Sequence, residues 1–108
     1  MRVFSEEIFG PVAPVFRFDT EDQVIEMAND TEFGLSSAVI TTSLAKAEYF
    51  KQNIKTGVAA VNLPTAGLDY HVPFGGRKAS SFGLREQGTY AKEFYTQIKT
   101  SYINSGSI

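Results

Sequence analysis

The sequence predicts an α/β protein in which a largely parallel sheet carries helices on its faces. Segments with the period of strands and segments with the period of helices alternate along the chain, and one short apolar strand follows directly on a helix. Both central helices also begin at residues that commonly cap helix N-termini. Alternation of this kind is typical of units in which a crossover helix joins two parallel strands.

The N-terminal third contains one strand and one helix. Val12–Phe18 alternates as a strand does, but Pro14 restricts it to a sheet edge or to two short pieces, because proline has no N–H to donate. Thr20–Thr31 is predicted to be a helix, since Thr20 and Gln23 stand at capping-box spacing. The core side of this helix is predicted to carry Val24, Met27 and Ala28.

A strand–helix–strand unit follows. The β-branched residues of Ser37–Thr42 predict a short buried strand, and Val58–Asn62 predicts a second. Ser43 is the expected N-cap of the helix between them, Leu44–Ile54. That helix is predicted to face the core with Leu44, Ala47, Phe50 and Ile54.

The last third begins with a connection longer than usual, Leu63–Phe82, which we expect to be functional or to lie against a partner surface. Within it, glycines after Pro73 allow a tight turn that gives Phe74 a defined direction. Leu84–Thr96 is predicted to be a short helix with an aromatic face, and Gln97–Ile103 a closing strand. The tail Ser105–Ile108 is expected to fray.

Composition limits the function. The chain has 108 residues, 43% of them hydrophobic, which is enough for one modest domain. A net charge of −2 without a basic stripe argues against nucleic-acid binding. There is no cysteine, hence no disulfide, thiolate metal site or thiol nucleophile in these residues. No segment has the roughly 18 apolar residues of a membrane span, and a cytoplasmic protein is expected.

Four motifs stand in order along the chain. They are Glu6–Val12 (EEIFGPV), Asn29–Ser36 (NDTEFGLS), Gly57–Asn62 (GVAAVN), and Pro73–Lys78 (PFGGRK) with its continuation to Thr100. Together they resemble the C-terminal region of NAD(P)-dependent aldehyde dehydrogenases, over nearly the whole chain. The resemblance implies the C-terminal part of that family's catalytic domain over residues 1–96, and a terminal oligomerisation strand and tail over 97–108.

The resemblance assigns cofactor contacts to Glu7 and Phe9. A carboxylate can accept hydrogen bonds from both hydroxyls of a ribose, and an aromatic ring two residues further on can pack against nicotinamide. In the family the glutamate and phenylalanine of this motif have those roles. Spacing alone would favour a solvated acidic pair beside a core phenylalanine, so the assignment rests on analogy.

The resemblance also implies a substrate pocket near Phe74 and His71. The family's phenylalanine at the position of Phe74 lies close to the catalytic centre, although a core residue beneath a turn is an equal alternative. His71 is on the loop that shapes the substrate entrance and is assigned no catalytic role. Arg85 and Glu86 are interpreted as helix-start electrostatics and subunit contact.

The family's nucleophilic cysteine and its general base lie upstream of the matched region. The chain also lacks the Gly-x-Gly-x-x-Gly motif of a dinucleotide-binding fold. We therefore expect a fragment, or the product of a truncated gene, without dehydrogenase turnover of its own. NAD or NADP would be bound by the complete enzyme and not tightly by this chain.

Two further implications concern substrate and partners. The amino-acid sequence of Gly67–Lys78 and of the residues that follow is most similar to sequences of the family branch that oxidises 2-oxoglutarate semialdehyde. Ser81 stands where glycine is usual, and Leu84 is an insertion relative to the common pattern.

Uncovered strands favour a homo-oligomer, and the alternative is a stand-alone module that binds a full-length dehydrogenase. An unrelated small α/β protein would require all four matches to be accidental.

Overall fold

A computed structural model describes residues 2–106 of the chain. Two parallel strands and four α-helices, with two single turns of 3₁₀ helix, make up its regular structure, and this confirms the predicted α/β class. In chain order the elements are α1 Arg2–Ser5, α2 Glu21–Asn29, β1 Ser36–Val39, α3 Leu44–Asn53, β2 Val58–Val61, the 3₁₀ turns Lys78–Ser80 and Gly88–Tyr90, and α4 Ala91–Tyr95.

The two strands pair in parallel, with Ser36 opposite Val58 and Val39 opposite Val61. Helix α3 connects them, as the alternating pattern predicted. Its buried side meets the sheet, and the buried hydrophobic residues of the described chain are Ala47, Phe50, Ile54 and Ala60. Leu44 is 78% exposed, so its prediction as a core residue is wrong.

Both predicted helix caps form. The Thr20 hydroxyl accepts the Gln23 N–H at 3.2 Å, and the Gln23 side chain in turn accepts the Asp19 N–H at 2.7 Å. Ser43 accepts the Lys46 N–H at 3.4 Å. These side chains satisfy backbone donors that have no partner inside the first helical turn.

Polar contacts hold α2 beside α3. Lys46 forms an ion pair with Glu21 at 2.5 Å, and the Tyr49 hydroxyl donates a hydrogen bond to the Asp22 carboxylate. That hydrogen bond is the main reason why the pKa of Tyr49 is raised, since it stabilises the protonated phenol. All four side chains are at the surface, so they orient the helices more than they stabilise the fold.

Two asparagines join backbone segments. Asn29, at the end of α2, donates to the Asn53 carbonyl at 2.9 Å and accepts the Lys55 N–H at 2.7 Å. Asn62 accepts the Thr41 N–H at 2.8 Å and donates to the Thr41 carbonyl at 2.9 Å. Asn62 therefore extends the strand pair through its side chain.

Three glycines bring the loop around Gly75 against the sheet. The Gly34 carbonyl accepts the Gly57 N–H at 2.9 Å and the Arg77 N–H at 2.8 Å. A Cβ on Gly57 would overlap the Gly75 carbonyl, and a Cβ on Gly34 would lie 2.9 Å from the Lys55 oxygen. The backbones approach so closely here that no side chain fits.

Two predicted strands are absent from the described residues. Val12–Phe18 is irregular and exposed, and the prediction of a strand there is wrong. Pro11 and Pro14 have no backbone N–H to donate to a neighbouring strand. The sheet of the described residues consists of β1 and β2, and Val12–Phe18 is not paired with either of them. Gln97–Ile103 is likewise irregular and exposed. Residues 107 and 108 of the predicted tail lie outside the described chain.

The predicted helix Leu84–Thr96 is wrong in its first half, because only Ala91–Tyr95 is α-helical. Gln87 and Gly88 have positive φ angles of 67° and 54°, which a right-handed helix cannot contain. Tyr90, Phe94 and Tyr95, the predicted aromatic face, remain partly or largely exposed.

Large apolar side chains are exposed toward both ends of the chain. Val15, Phe82, Ile98, Tyr102 and Ile103 are all more than nine-tenths exposed. Monomeric proteins rarely leave so much apolar surface in water. None of the helices within residues 2–106 has the length and hydropathy needed to cross a membrane.

Replacement of Gly57 by alanine tests the close approach of the loop to the sheet. The added methyl group would overlap the Gly75 carbonyl, so we expect a loss of unfolding free energy of about 1–3 kcal/mol or more. Chemical denaturation followed by circular dichroism measures it. The control is Gly10→Ala, whose Cβ meets nothing closer than 4.0 Å; equal losses in both variants would contradict the predicted overlap.

Candidate functional site

Phe74 is held by a short antiparallel bridge to Glu86. The Phe74 N–H donates to the Glu86 carbonyl at 2.7 Å, and the Glu86 N–H donates back at 2.9 Å. Arg85 lies over Gly75 and donates to the Gly76 carbonyl. Arg85 and Glu86 thus position the Phe74 turn, and they precede the helix instead of starting it as the sequence suggested.

The Phe74 side chain lines a cavity of about 280 Å³. Most of its wall is apolar or small, and none of its lining residues is charged. Those residues are Leu35, Ser36, Thr65, Ala66, Gly67, Leu68, Phe74 and Gln87. A concave site with few polar groups is the usual form of a small-molecule pocket.

Gln87 was not identified from the sequence. It lines the same cavity as Phe74, has a positive φ of 67°, and has a buried side-chain oxygen without a hydrogen-bond partner among the described residues. The sequence signal for Gln87 is the glycine that follows it, inside the predicted helix. In the structure Gln87 and Gly88 both have positive φ angles, and they interrupt the helix there. Propensity alone could not show that Gln87 lies at a cavity.

His71 lies on the turn between Leu68 and Phe74 and does not line the cavity. Its Nδ1 is 2.7 Å from Asp69 Oδ1, and its backbone N–H donates to the same oxygen at 3.0 Å. The Tyr70 ring lies against the imidazole, with ring centroids 3.9 Å apart. Both hydrogen bonds lower the pKa of Asp69. The bond from the His71 backbone N–H has the larger effect, and the bond with the His71 side chain has the smaller one.

Glu7 lines a second cavity, of about 550 Å³. Its neighbour Glu6 is bound by Arg2 at 2.8 and 3.0 Å. No side-chain hydrogen bond found within residues 2–106 uses the Glu7 carboxylate. The Phe9 ring is 89% exposed on a residue with a φ of 51°.

The two cavities meet at the N-terminal end of β1. Leu35 and Ser36 line both of them, so the cavity with Glu7 and the cavity with Phe74 are neighbours. The end of β1 therefore separates an acidic site from an apolar one. Within the described chain, no group of three or more His, Asp or Glu side chains could hold a metal ion.

Comparison with known proteins shows which family has this arrangement. Residues 1–101 match the aldehyde dehydrogenase family, and the chain belongs to that family. This confirms the resemblance carried by the four sequence motifs.

Individual relatives cover the chain almost completely. The 4-trimethylaminobutyraldehyde dehydrogenase A of Danio rerio is 44% identical over 108 residues, which are 100% of this chain and 21% of that protein. An alpha-ketoglutaric semialdehyde dehydrogenase of Bacillus subtilis is 40% identical over 103 residues, 95% of this chain and 21% of that protein.

A solved structure shows the same fold. The crystal structure of a Mycobacterium tuberculosis aldehyde dehydrogenase complexed with NAD⁺ matches with a TM-score of 0.84 and 39% identity, over 100% of this chain and 22% of that one. The chain therefore spans about a fifth of the length of the relatives it matches.

The Asp69 carboxyl offers a direct test of the loop geometry. We expect it to titrate below its ordinary value of 3.8, so its small contribution to stability is present at neutral pH and is lost as pH falls through the lowered pKa. In His71→Ala most of the lowering should persist, because the backbone N–H is the larger cause, whereas His71→Pro should remove it. NMR titration of the carboxyl carbon measures this, and an ordinary pKa in the alanine variant would contradict the geometry.

Proposed function

We propose that these residues form the nicotinamide side and the aldehyde side of an aldehyde dehydrogenase active site. The complete enzyme would oxidise an aldehyde to a carboxylic acid with NAD or NADP. The observation that supports this most is the adjacency of two cavities, one with Glu7 and one with Phe74, that share Leu35 and Ser36. Hydride transfer requires cofactor and substrate to lie side by side in this way.

Glu7 and Phe9 are the proposed cofactor residues. Their chemistry fits a nicotinamide riboside, because an acceptor carboxylate stands on a cavity wall and an exposed aromatic ring follows two residues later. The cofactor, when bound, would accept the hydride. Glu7 would orient it through the ribose hydroxyls, and Phe9 would limit its movement.

Phe74 is proposed to line the aldehyde pocket, with His71 on the loop at its entrance. The neighbouring backbone is fixed by the bridge to Glu86 and by Arg85, so the ring would hold the substrate in one orientation. The chain contains no cysteine. A thiol nucleophile would have to come from other residues, and the chain alone is proposed to be inactive.

The substrate is proposed to be 2-oxoglutarate semialdehyde. The Bacillus subtilis relative carries that activity in its name, and the Danio rerio relative is named for a trimethylamino aldehyde. The cavity lining contains neither a carboxylate to compensate a quaternary ammonium group nor a cation to compensate a carboxylate, so the charged end of either substrate would have to lie outside it. A cytoplasmic location stays a prediction.

Residues 97–108 are proposed to be a terminal oligomerisation strand and tail attached to the catalytic part, residues 1–96. Ile98, Tyr102 and Ile103 are exposed in a segment with no partner strand among the described residues. Pairing with a second subunit would cover them. The alternative, in which the chain is a separate module that binds a full-length dehydrogenase, uses the same exposed segment.

A chimera tests the cofactor assignment. The matched region of the Bacillus subtilis relative would be replaced by this chain, and the same would be done in the Danio rerio relative as a second host. We expect NAD-dependent aldehyde oxidation in the chimera. Glu7→Gln should raise KM and Kd for NAD by about tenfold, because a charge-assisted hydrogen bond is lost.

The matched control is Glu6→Gln, since Glu6 lines the same cavity but is paired with Arg2. Binding of NAD by fluorescence separates affinity from turnover. A folded chimera that makes no NADH in either host would overturn the proposed function. Equal effects of the two substitutions would overturn only the role of Glu7.

Sedimentation velocity of the 108-residue chain tests the oligomerisation segment. We expect the sedimentation coefficient to rise with concentration, and Ile98→Glu with Ile103→Glu to abolish the rise by placing charges in the interface. Lys92→Glu, which changes the net charge by the same amount outside residues 97–108, is the control for charge alone. A stable monomer across concentrations would contradict self-association, and co-purification with a larger dehydrogenase would favour the alternative module.

A further inference from the structure

Gln87 combines two costly features at one cavity wall. Its φ of 67° is in the left-handed region, which is unfavourable for a residue with a long side chain. Its Oε1 is buried and has no hydrogen-bond donor among the described residues. Buried amide groups without partners are uncommon in folded proteins, and each calls for a physical explanation.

The backbone on both sides of Gln87 fixes the strained conformation. Glu86 is bonded to Phe74 through both its N–H and its carbonyl, at 2.9 and 2.7 Å. The Gly88 N–H donates to the Tyr70 carbonyl at 3.2 Å, and a Cβ on Gly88 would overlap the His71 carbonyl. Gln87 therefore cannot relax into a helix without releasing the loop on either side.

Gln87 lines the Phe74 cavity in this strained conformation. Besides Gln87, the polar residues that line the cavity within the described chain are Ser36 and Thr65. A primary amide offers both N–H donors and a carbonyl acceptor, and the two ends occupy nearly the same positions after a half-turn of the terminal bond. A ligand that enters the cavity can therefore be met by either end.

We propose that Gln87 is a specificity-determining residue that binds an uncharged oxygen atom, keto or hydroxyl, of the aldehyde substrate. This rests on the proposed function. A plain alkyl aldehyde would leave the amide without a partner, and a trimethylammonium group has no hydrogen-bond donor or acceptor. The uncharged lining matches a keto or hydroxyl group better than a charged group.

The keto group of 2-oxoglutarate semialdehyde satisfies this requirement. It stands in a 1,4 relationship to the aldehyde carbon, and the same spacing occurs in 4-oxopentanal, which carries no charge. Pentanal has a CH₂ group in place of that keto group. Neither compound has the carboxylate that is bonded to the keto carbon of 2-oxoglutarate semialdehyde, so the pair isolates the contact to Gln87 from carboxylate binding.

The test compares Gln87→Met with the unsubstituted sequence in the active chimera. Methionine keeps the length of the side chain and removes its hydrogen bonds. We expect kcat/KM for 4-oxopentanal to fall by about tenfold or more, because a site built around a hydrogen bond discriminates strongly against its loss. For pentanal kcat/KM should stay within about threefold. The control is Gln52→Met, an exposed glutamine on α3.

A second measurement does not depend on turnover. In the isotope-labelled 108-residue chain, the side-chain NH₂ signals of Gln87 should shift on addition of 4-oxopentanal and not of pentanal, while those of Gln52 stay constant. Equal losses for both aldehydes in Gln87→Met, or no loss for either, would overturn the assignment. A chimera that is inactive before this substitution would instead contradict the proposed function.

Discussion

The Gly34 carbonyl is the point on which the rest of the structure depends. It accepts one N–H from Gly57, at the start of β2, and another from Arg77, after the glycine turn. One oxygen thus joins the strand pair to the loop that carries Phe74. A carbonyl has two lone pairs and can serve both donors, but only if both backbones come within hydrogen-bond distance, and this explains the glycines around it.

The same region shows how a small sheet can position chemistry. The Ser80 hydroxyl oxygen accepts the Gly34 N–H at 2.8 Å, and the Lys78 ammonium donates to the carbonyls of Asn29 and Thr31 at 2.8 and 2.9 Å. The loop is therefore attached at several backbone points, while its side chains remain available at the cavities. Binding residues are often carried by loops that a rigid scaffold holds in position. This loop has little hydrophobic core of its own and is held in that way.

The sequence patterns predicted the elements that depend on nearby residues. They failed for elements whose conformation is determined by contacts between residues distant in the sequence. The caps at Thr20 and Ser43 and helix α3 depend on neighbours within a few residues, and they form as expected. The strands β1 and β2 also form as expected, because α3 connects them directly. The helix from Leu84 failed because the bridge between Phe74 and Glu86 draws the chain away from helical geometry. The motifs located the Phe74 turn, but the role of Gln87 depends on a cavity wall that no spacing in the sequence describes.

The bridge between Phe74 and Glu86 also closes the intervening residues into a loop whose two ends are fixed. Ser81 and Leu84 lie inside this loop, and the Ser81 hydroxyl adds an internal contact by accepting the Gly76 N–H at 2.6 Å. Lengthening a loop whose ends are pinned costs little free energy. Evolution can therefore insert or exchange residues between the two anchors and reshape the outer surface while Phe74 stays where it is.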